Sequence, residues 1–499
     1  MPPFALEEAT IAQLQTALQT GQFSALSLAQ AYLERIERLD RTGPALNSVI
    51  ELNPQALELA QALDQERRDG KPRGPLHGIP LLLKDNLDTG DKMQTTAGSL
   101  ALVGAPAPQD AFVVRKLRQA GALILGKTNL SEWANFRSSR STSGWSGRGG
   151  RTLNPYALDR NPSGSSSGSG AAVAANLCAA AIGTETDGSV VGPATANGIV
   201  GLKPTLGRCS RSGIIPIAHS QDTAGPMTRT VADAALLLGV MAGPDPRDPA
   251  TASCPPLPDY AAALDPAGLK GARLGVVRKL FGFSESVDRL MEESLAALKH
   301  LGAELVDPVE LPNLGKYDDT EMEVLLYEFK ADLNAYLAGR RGVPIHSLEE
   351  LIAFNQAHAD QELPYFGQDL LIKALVKGDL QSPEYQRALV HNHHLSRAEG
   401  LDALLAAHRL DALVAPTGSP AWLSDLVNGD HSSGGCSTPA AVAGYPHITV
   451  PAGLICGLPV GLSFFAGAWS EPALLKMAYA FEQGTQARRP PQFLATAQL

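Results

Sequence analysis

The sequence contains few cysteines and no long apolar run. Its five cysteines are spread through 499 residues without Cys-x-x-Cys spacing, so neither a disulfide framework nor a zinc site is indicated. No stretch approaches about 18 uninterrupted apolar residues, which argues against a membrane-spanning helix. The histidines of HNHHL lie in a polar helical stretch without a partner motif, and we interpret them as a solvated surface. We therefore expect no metal site.

Positive charge is also scarce. The chain has 41 lysines and arginines against 51 aspartates and glutamates, which gives a formal net charge of −10. Phosphate neutralisation requires a basic face, so nucleic acid is not an expected partner. The first ten residues, MPPFALEEAT, have no basic region followed by an apolar run, as a signal peptide would require. We expect a cytoplasmic monomer that does not associate with membranes.

Apolar residues, by contrast, make up 44% of the chain, which is enough for a large core. Helical spacing of apolar residues appears in IAQLQTALQ, in SLAQAYLERIERLD, where Ser27 is the predicted N-cap, and in NPQALELAQALDQERRDG. GIPLLLKDN then predicts a buried strand that ends at Lys84, and AFVVRKLRQAGALILGKTN predicts a helix followed by a second strand. Helices that alternate with apolar strands indicate an α/β layer fold.

The stretch GSSSGSG, which continues into AAVAAN, permits three interpretations. A flexible linker is one, although apolar elements continue on both sides. A nucleophile elbow centred on Ser166 is the second, but that motif needs a preceding strand and a late histidine, and DRNPSG precedes it. The third is a rigid loop that opens a helix and could also cradle a phosphate, without the lysine of a P-loop.

A second polar turn lies in AIGTETDGSVVGPA. An apolar lead-in ends at Thr184, and Gly188 stands directly before Ser189. A glycine at this position permits a tight turn in which several backbone N–H groups converge, as an oxyanion hole requires. Glu185 and Asp187 are interpreted as loop caps, because no neighbouring histidine supports a metal pair.

Together these motifs resemble the amidase signature family. The matching segments are the strand-end lysine of GIPLLLKDN, the loop GSSSGSGAAVAAN, the turn GTETDGS and the following GIVGLKPT. Within the family the chain is most similar to bacterial peptide amidases, in TNLSEWANF, LLYEFKADL, AFNQAHADQEL and AWSEP. The resemblance implies a layered α/β fold in which helices cover a large mixed central sheet.

We expect one domain over residues 1–499. N-terminal helices occupy residues 1–70, and the catalytic core with the signature segment occupies 71–240. Residues 281–400 form a helical covering section, and 401–499 return to the core sheet.

The resemblance implies a Ser-cisSer-Lys triad, with Ser189 as the nucleophile, Ser165 as the bridging serine and Lys84 as the base. It also implies a cis peptide bond before Ser165, and Ser166 as a hydrogen-bonding neighbour. Backbone N–H groups of Thr186, Asp187, Gly188 and Ser189 would form the oxyanion hole. Burial could make the lysine neutral, since a pKa shift of about 3.4 units costs about 4.6 kcal/mol.

The implied reaction is hydrolysis of a peptide C-terminal amide to the free acid and ammonia, without metal or organic cofactor. Asn129, Trp133, Phe136 and Trp145 are candidates for the substrate pocket or for core packing. Alternatives are another amidase of the family, an A-type amidotransferase component that passes ammonia to charged tRNA, a nucleotide-binding module, and a pseudo-enzyme.

The sequence departs from the family at two positions. Asp187 stands where many members have glycine, and we expect its carboxylate to point away from the oxyanion or to contact a substrate donor. Val191 replaces an arginine. Among the other lysines, Lys127 is expected in an open loop with a local structural role, and Lys203 is expected to support the turn.

Overall fold

A computed structural model describes residues 6–498. Its main element is a mixed sheet to which both halves of the chain contribute. The strands are β1 (Val49–Leu52), β2 (Pro80–Lys84), β3 (Leu123–Thr128), β4 (Trp145–Ser146), β5 (Gly150–Arg151), β6 (Ala180–Glu185), β7 (Val200–Lys203), β8 (Thr223–Thr228), β9 (Arg273–Val276), β10 (Glu304–Val306), β11 (Ala412–Pro416), β12 (His447–Ile455) and β13 (Leu458–Phe465).

Among the described residues, eleven of these strands form one sheet in the order β1-β3-β2-β6-β8-β7-β12-β13-β11-β9-β10, and β4 pairs with β5 in a separate ribbon. Strand β2 runs parallel to both β3 and β6, whereas β6, β8, β7, β12 and β13 pair antiparallel in succession. The sheet is therefore mixed, and the predicted α/β fold with a large mixed central sheet is confirmed.

Helices flank the sheet. They are α1 (Ile11–Gln19), α2 (Ala25–Arg35), α3 (Ala56–Arg68), α4 (Phe112–Gln119), α5 (Ser167–Ala174), α6 (Val191–Ala196), α7 (Val231–Met241), α8 (Glu285–His300), α9 (Asp318–Ala338), α10 (Leu348–Ala357), α11 (Ala359–Glu362), α12 (Asp369–Leu375), α13 (Pro383–His393), α14 (Asp402–His408), α15 (Thr438–Ala443) and α16 (Glu471–Thr485). No helix within residues 6–498 is long and apolar enough to cross a membrane.

The beginning of α2 differs from the prediction. Its N-cap is Ser24, whose hydroxyl accepts a hydrogen bond from the N–H of Ser27, and the Ser27 hydroxyl accepts one from the N–H of Ser24. The assignment of Ser27 as N-cap is therefore wrong. A capping box places a polar side chain at both ends of the first turn, and the prediction chose the second of the two.

The parallel arrangement of β2, β3 and β6 determines where polar side chains can meet. In register, Lys84 lies opposite Thr128 on one side, and Leu83 lies opposite Ile182 on the other. The carboxyl ends of these three strands therefore reach one edge of the sheet, where α/β folds place their ligand sites. Lys84 at the end of β2 and Thr184 near the end of β6 come together at this edge.

Candidate active site

The serine loop lies inside the protein. Residues 165–174 are all buried, and α5 begins at Ser167. A Cβ atom at Gly168 would lie 2.3 Å from the carbonyl oxygen of Ser48 and 2.5 Å from that of Asn129, so only glycine fits there. The linker interpretation is therefore wrong: this is a rigid loop that opens a tightly packed helix.

Ser166 holds β6 in place. Its hydroxyl donates to the carbonyl of Thr184 at 3.1 Å and accepts from the N–H of the same residue at 3.2 Å. The residues before it are not a strand, and neither His431 nor His447 contacts it within the described chain. The geometry of a nucleophile elbow is thus not present at Ser166.

Lys84 is fully buried, and its amine contacts the serine loop. Nζ donates to Ser165 Oγ at 2.7 Å, to Thr184 Oγ1 at 2.9 Å and to the Thr184 carbonyl at 3.2 Å. Burial lowers the pKa of Lys84 from 10.5 to about 7, and the negative charges of Asp222 and Glu185 oppose that shift. The amine is therefore close to half neutral at pH 7.

The backbone connects the serine loop to the turn that carries Ser189. The peptide bond between Gly164 and Ser165 is cis, as the resemblance implied. The N–H of Ser166 donates to the Ser189 carbonyl at 3.2 Å, and the Ser165 carbonyl accepts from the N–H of Ser131 at 3.1 Å. Both predicted catalytic serines are thereby held in place by backbone hydrogen bonds.

The turn after β6 has the form expected of an oxyanion hole. Gly188 has φ of +77°, a conformation that favours glycine. The Glu185 carboxylate accepts from the N–H groups of Val190 at 2.7 Å and Val191 at 3.0 Å, which fixes the start of α6. Within residues 6–498, the N–H groups of positions 187, 188 and 189 have no acceptor, so they remain available to a ligand.

One carboxylate oxygen of Asp187 accepts a hydrogen bond from the protein, and the other has no donor among residues 6–498. Oδ2 accepts from the Thr438 hydroxyl at 2.7 Å, whereas Oδ1 is buried and has no hydrogen-bond donor in the described part of the chain. Burial raises the pKa of Asp187, and the nearby hydroxyls of Ser437 and Thr438 oppose this.

Two residues that the sequence analysis missed, Asp222 and Gln221, form hydrogen bonds with Thr186. Asp222 Oδ1 accepts from the Thr186 hydroxyl at 2.5 Å, and Gln221 Nε2 donates to the Thr186 carbonyl at 3.3 Å. Burial raises the pKa of Asp222 to about 6. These residues lie just before β8 and no periodic pattern marks them, so only their spatial position reveals their role.

A cavity of about 360 Å³ opens onto Ser189. Thr186, Asp187 and Gly164 contribute the polar turn, and acidic side chains come from the first turn of α9. The remaining wall is largely apolar. It is lined by Ala134, Asn135, Phe136, Ser138, Ser139, Gly164, Thr186, Asp187, Ser189, Ile217, Asp318, Glu321, Met322, Leu325 and Leu370.

Of the four candidate pocket residues, the structure brings only Phe136 to this cavity. Trp133 has left-handed backbone (φ 49°) and belongs to a hydrophobic cluster beside it. Asn129 is buried and donates to the Gly150 carbonyl and the Thr152 hydroxyl. The ring of Trp145 packs edge-on against Tyr365 and Phe366. Packing and loop support therefore account for Asn129, Trp133 and Trp145.

The other two lysines are also buried. Lys127 lies in β3, not in an open loop as expected, and its amine donates to the Leu87 carbonyl at 2.7 Å and to Thr95 at 3.0 Å. Lys203 ends β7, and burial lowers its pKa to about 8, although the charge of Glu185 opposes the shift. Neither amine donates a hydrogen bond to a serine hydroxyl within residues 6–498.

One group of potential metal ligands occurs among the described residues: His219, Glu328 and Asp332, whose ligand atoms lie within 4.8 Å of one another. His219 Nδ1 is 2.8 Å from Asp332 Oδ2, and Tyr385 donates to Glu328 Oε1 at 2.7 Å. These side chains therefore satisfy one another.

Comparison with known proteins identifies the family of this chain. The Amidase family profile matches residues 27–475. This chain belongs to the amidase signature family. A probable amidase of Arabidopsis thaliana is 42% identical over 99% of this chain and 93% of its own length. The A-type component of the glutamyl-tRNA(Gln) amidotransferase of Halorhodospira halophila is 38% identical over 96% and 98%, respectively.

Two solved structures are similar over nearly the whole chain. Native peptide amidase from Stenotrophomonas maltophilia is 56% identical, with a TM-score of 0.94, and covers 98% of this chain and 100% of its own. A peptide amidase in complex with the competitive inhibitor chymostatin is also 56% identical, with a TM-score of 0.96 and the same coverage. The predicted family and the predicted class, a hydrolase of amide carbon–nitrogen bonds, are confirmed.

Proposed function

We propose that this amidase hydrolyses the C-terminal amide of peptides to the free acid and ammonia, and that it acts as a monomer. The observations that carry the proposal are the fully buried amine of Lys84, 2.7 Å from Ser165 Oγ, and a cavity that Ser189 and Gly164 line. The likeness to peptide amidases over the whole chain supports the choice of substrate.

Neutral Lys84 is suited to serve as the base. Two of its N–H groups can donate to the Thr184 carbonyl and hydroxyl, which directs the nitrogen lone pair at Ser165 Oγ. Asn86 Nδ2 donates to the same Thr184 hydroxyl at 2.9 Å and fixes its orientation. A serine hydroxyl is a weak nucleophile until a base removes its proton, so this arrangement supplies the activation that the reaction needs.

In the proposed mechanism, Ser165 gives its proton to Lys84 and takes one from Ser189. The Ser189 oxygen then attacks the amide carbonyl carbon, and the oxyanion accepts hydrogen bonds from backbone N–H groups of residues 186–189. Each such donor contributes on the order of 3 kcal/mol. The proton returns through Ser165 to the leaving nitrogen, ammonia departs, and an acyl-serine forms. Water then repeats the sequence and releases the acid.

The test measures ammonia released from the peptide amide Nα-acetyl-Gly-Leu-NH2. Ser189→Ala and Lys84→Met are each expected to lower kcat by about 1,000-fold or more, because the residues act as one unit. The matched control is Ser433→Ala, which removes an exposed serine outside the cavity and should retain full activity. Full activity of Ser189→Ala would refute the mechanism, and an inert wild type would refute the substrate.

An amidotransferase component is the second candidate, since a relative of that kind is 38% identical over 96% of this chain. A component of a complex is expected to depend on its partners. Ammonia release from a peptide amide by the purified chain alone therefore favours the hydrolase, whereas activity that requires added partner proteins favours the alternative.

A further inference from the structure

The titratable side chains that line the cavity at Ser189 are all acidic. The carboxylates of Asp187, Asp318 and Glu321 line it, and no lysine, arginine or histidine is among its described lining residues. Phe136 and Leu325 contribute to its apolar remainder. Since apolar walls weaken the screening of charge by water, the three carboxylates act on whatever part of the substrate enters this space.

Glu321 is buried without a cation. The residue is 8% exposed. Oε1 accepts from Gln221 Nε2 at 2.8 Å, whereas Oε2 receives no hydrogen bond, and no salt bridge within residues 6–498 includes this residue. A carboxylate oxygen without a donor in the protein can accept a hydrogen bond from a ligand in the cavity.

Asp187, in the turn after β6, also has a carboxylate oxygen without a donor among the described residues. Its Oδ1 is buried and has no donor in the described chain, and the residue lines the same cavity. Asp187, from the turn after β6, and Glu321, from α9, therefore both line the space next to the nucleophile, and each has a carboxylate oxygen without a donor within residues 6–498.

The helix macrodipole accounts for only part of this arrangement. Acidic residues in a first helical turn are stabilising because they face the positive helix end. Asp318 and Asp319 are exposed and fit that explanation. It does not explain why Glu321 is buried in the cavity, where solvation is lost.

We propose that the cavity selects amide substrates with a positive charge beside the scissile amide, and that Glu321 and Asp318 are the residues that determine this specificity. The inference rests on the proposed function and names its substrate class. The charge is either a lysine or arginine side chain on the residue that bears the amide, or the α-ammonium group of an amino acid amide. Binding involves hydrogen bonds and charge pairing only.

The preference depends on pH. Burial, together with the charges of Asp187 and Asp318, raises the pKa of Glu321 to about 8, and the hydrogen bond from Gln221 opposes this. Tyr317, at the start of the same helix, also faces these carboxylates, and burial raises its pKa. Glu321 loses its proton as the pH rises through 8, so selection for a lysine side chain strengthens between pH 7 and pH 9.

The experiment compares kcat/KM for matched pairs of substrates. Nα-acetyl-lysinamide against Nα-acetyl-norleucinamide at pH 9 tests the side-chain charge, and leucinamide against Nα-acetyl-leucinamide at pH 7 tests the α-ammonium group. We expect the charged member of at least one pair to be favoured by about tenfold. The pair that shows the preference identifies the source of the charge. Equal rates within both pairs would overturn the inference while the proposed function stands.

Variants assign the preference to residues. Glu321→Gln keeps an acceptor for Gln221 but removes the charge that Glu321 carries above pH 8, so at pH 9 it should reduce the preference for the lysine side chain to about threefold or less. Asp318→Asn, at an exposed position, tests the same point without risk to folding. The control is Asp319→Asn, one residue further on the same turn and outside the cavity lining, which should keep the wild-type preference. A preference that survives both Glu321→Gln and Asp318→Asn would refute the assignment. Failure of every peptide amide would instead refute the proposed function.

Discussion

Lys84 is buried without a carboxylate in contact. Its three acceptors are two hydroxyls and a carbonyl, and the nearest charges, Asp222 and Glu185, act on it only at a distance. A lysine in this position costs stability, because the folded protein binds its proton much less tightly than the unfolded chain. Catalysis gains a base that is available near neutral pH.

Lys84→Met is therefore expected to abolish activity and to stabilise the fold. The free energy of unfolding should rise by about 1–3 kcal/mol at pH 6. Thr184 keeps donors from Asn86 and Ser166, so only Ser165 loses its partner. The gain in the free energy of unfolding should be largest below pH 7 and shrink between pH 7 and pH 10.5, because in that range the unfolded chain still binds the proton of Lys84 and the folded protein does not. Chemical denaturation at pH 6 and pH 9 measures it, and an equal difference at both values would contradict a lowered pKa.

The rate should depend on pH through the same amine. With a pKa of about 7, Lys84 becomes neutral above pH 7, so kcat/KM should rise through this value. Asp222→Asn removes a charge that raises the pKa of Lys84, and the acid limb should move to lower pH by about half a unit. A pH–rate profile of both proteins measures this. A limb that stays in place, or moves upward, would contradict the role given to Asp222.

Sequence reasoning found the residues that motifs mark and missed those that only folding brings close. Lys84 follows an apolar run, and the serines stand in recognisable motifs. Gln221 and Glu321 are 100 positions apart and meet through one hydrogen bond, which no local pattern encodes. Trp145 was proposed for the pocket from chain position alone, and packing against Tyr365 accounts for it.

At the scale of elements, α5 depends on close approach to its neighbours. An alanine side chain usually stabilises a helix by about 0.5–1 kcal/mol relative to glycine. Gly168→Ala should nevertheless destabilise the protein, by roughly 1–3 kcal/mol, because the new Cβ would meet two backbone carbonyls within 2.5 Å. The melting temperature should fall.

Gly239→Ala is the matched control. This glycine is exposed in α7, and the nearest atom to an added Cβ is 3.7 Å away. The melting temperature should rise slightly for this variant. A Gly168→Ala protein as stable as Gly239→Ala would contradict the close packing of α5.

Elements with a strong hydrophobic periodicity were predictable from the sequence, whereas a segment with left-handed backbone was not. The apolar runs of β2 and β3 and the amphipathic spacing of α3 are visible in the sequence. The left-handed backbone of residues 133–135 is not visible in the sequence. Trp and Ala do not favour this conformation, so tertiary packing imposes it. That segment brings Phe136 to the cavity wall.

At the scale of the whole molecule, the site draws on distant parts of the chain. Lys84, the serine loop, the turn after β6 and α9 all contribute, and the sheet order places β6 between β2 and β8. The alternation of helices with apolar strands predicted an α/β core, and apolar strand runs in both the first and the last parts of the chain predicted a sheet that joins them; only the family resemblance predicted that this sheet is mixed. Strand order depends on long-range pairing, which hydrophobic periodicity does not encode.

The proposed mechanism requires no metal ion, so chelation should leave the rate unchanged. Incubation with EDTA followed by dialysis is expected to retain at least about 90% of ammonia release, since no step of proton transfer or oxyanion binding depends on a metal. The cluster of His219, Glu328 and Asp332 provides the alternative. Loss of activity that Zn²⁺ or Mn²⁺ restores would contradict the mechanism.

The most direct test of the account is the identity of the nucleophile. A fluorophosphonate probe reacts with activated serines, and mass spectrometry of the digested protein locates the adduct. We predict one adduct, on Ser189, that Ser189→Ala abolishes and Lys84→Met strongly slows. An adduct on Ser165 or Ser166, or labelling that persists in Ser189→Ala, would contradict the central claim.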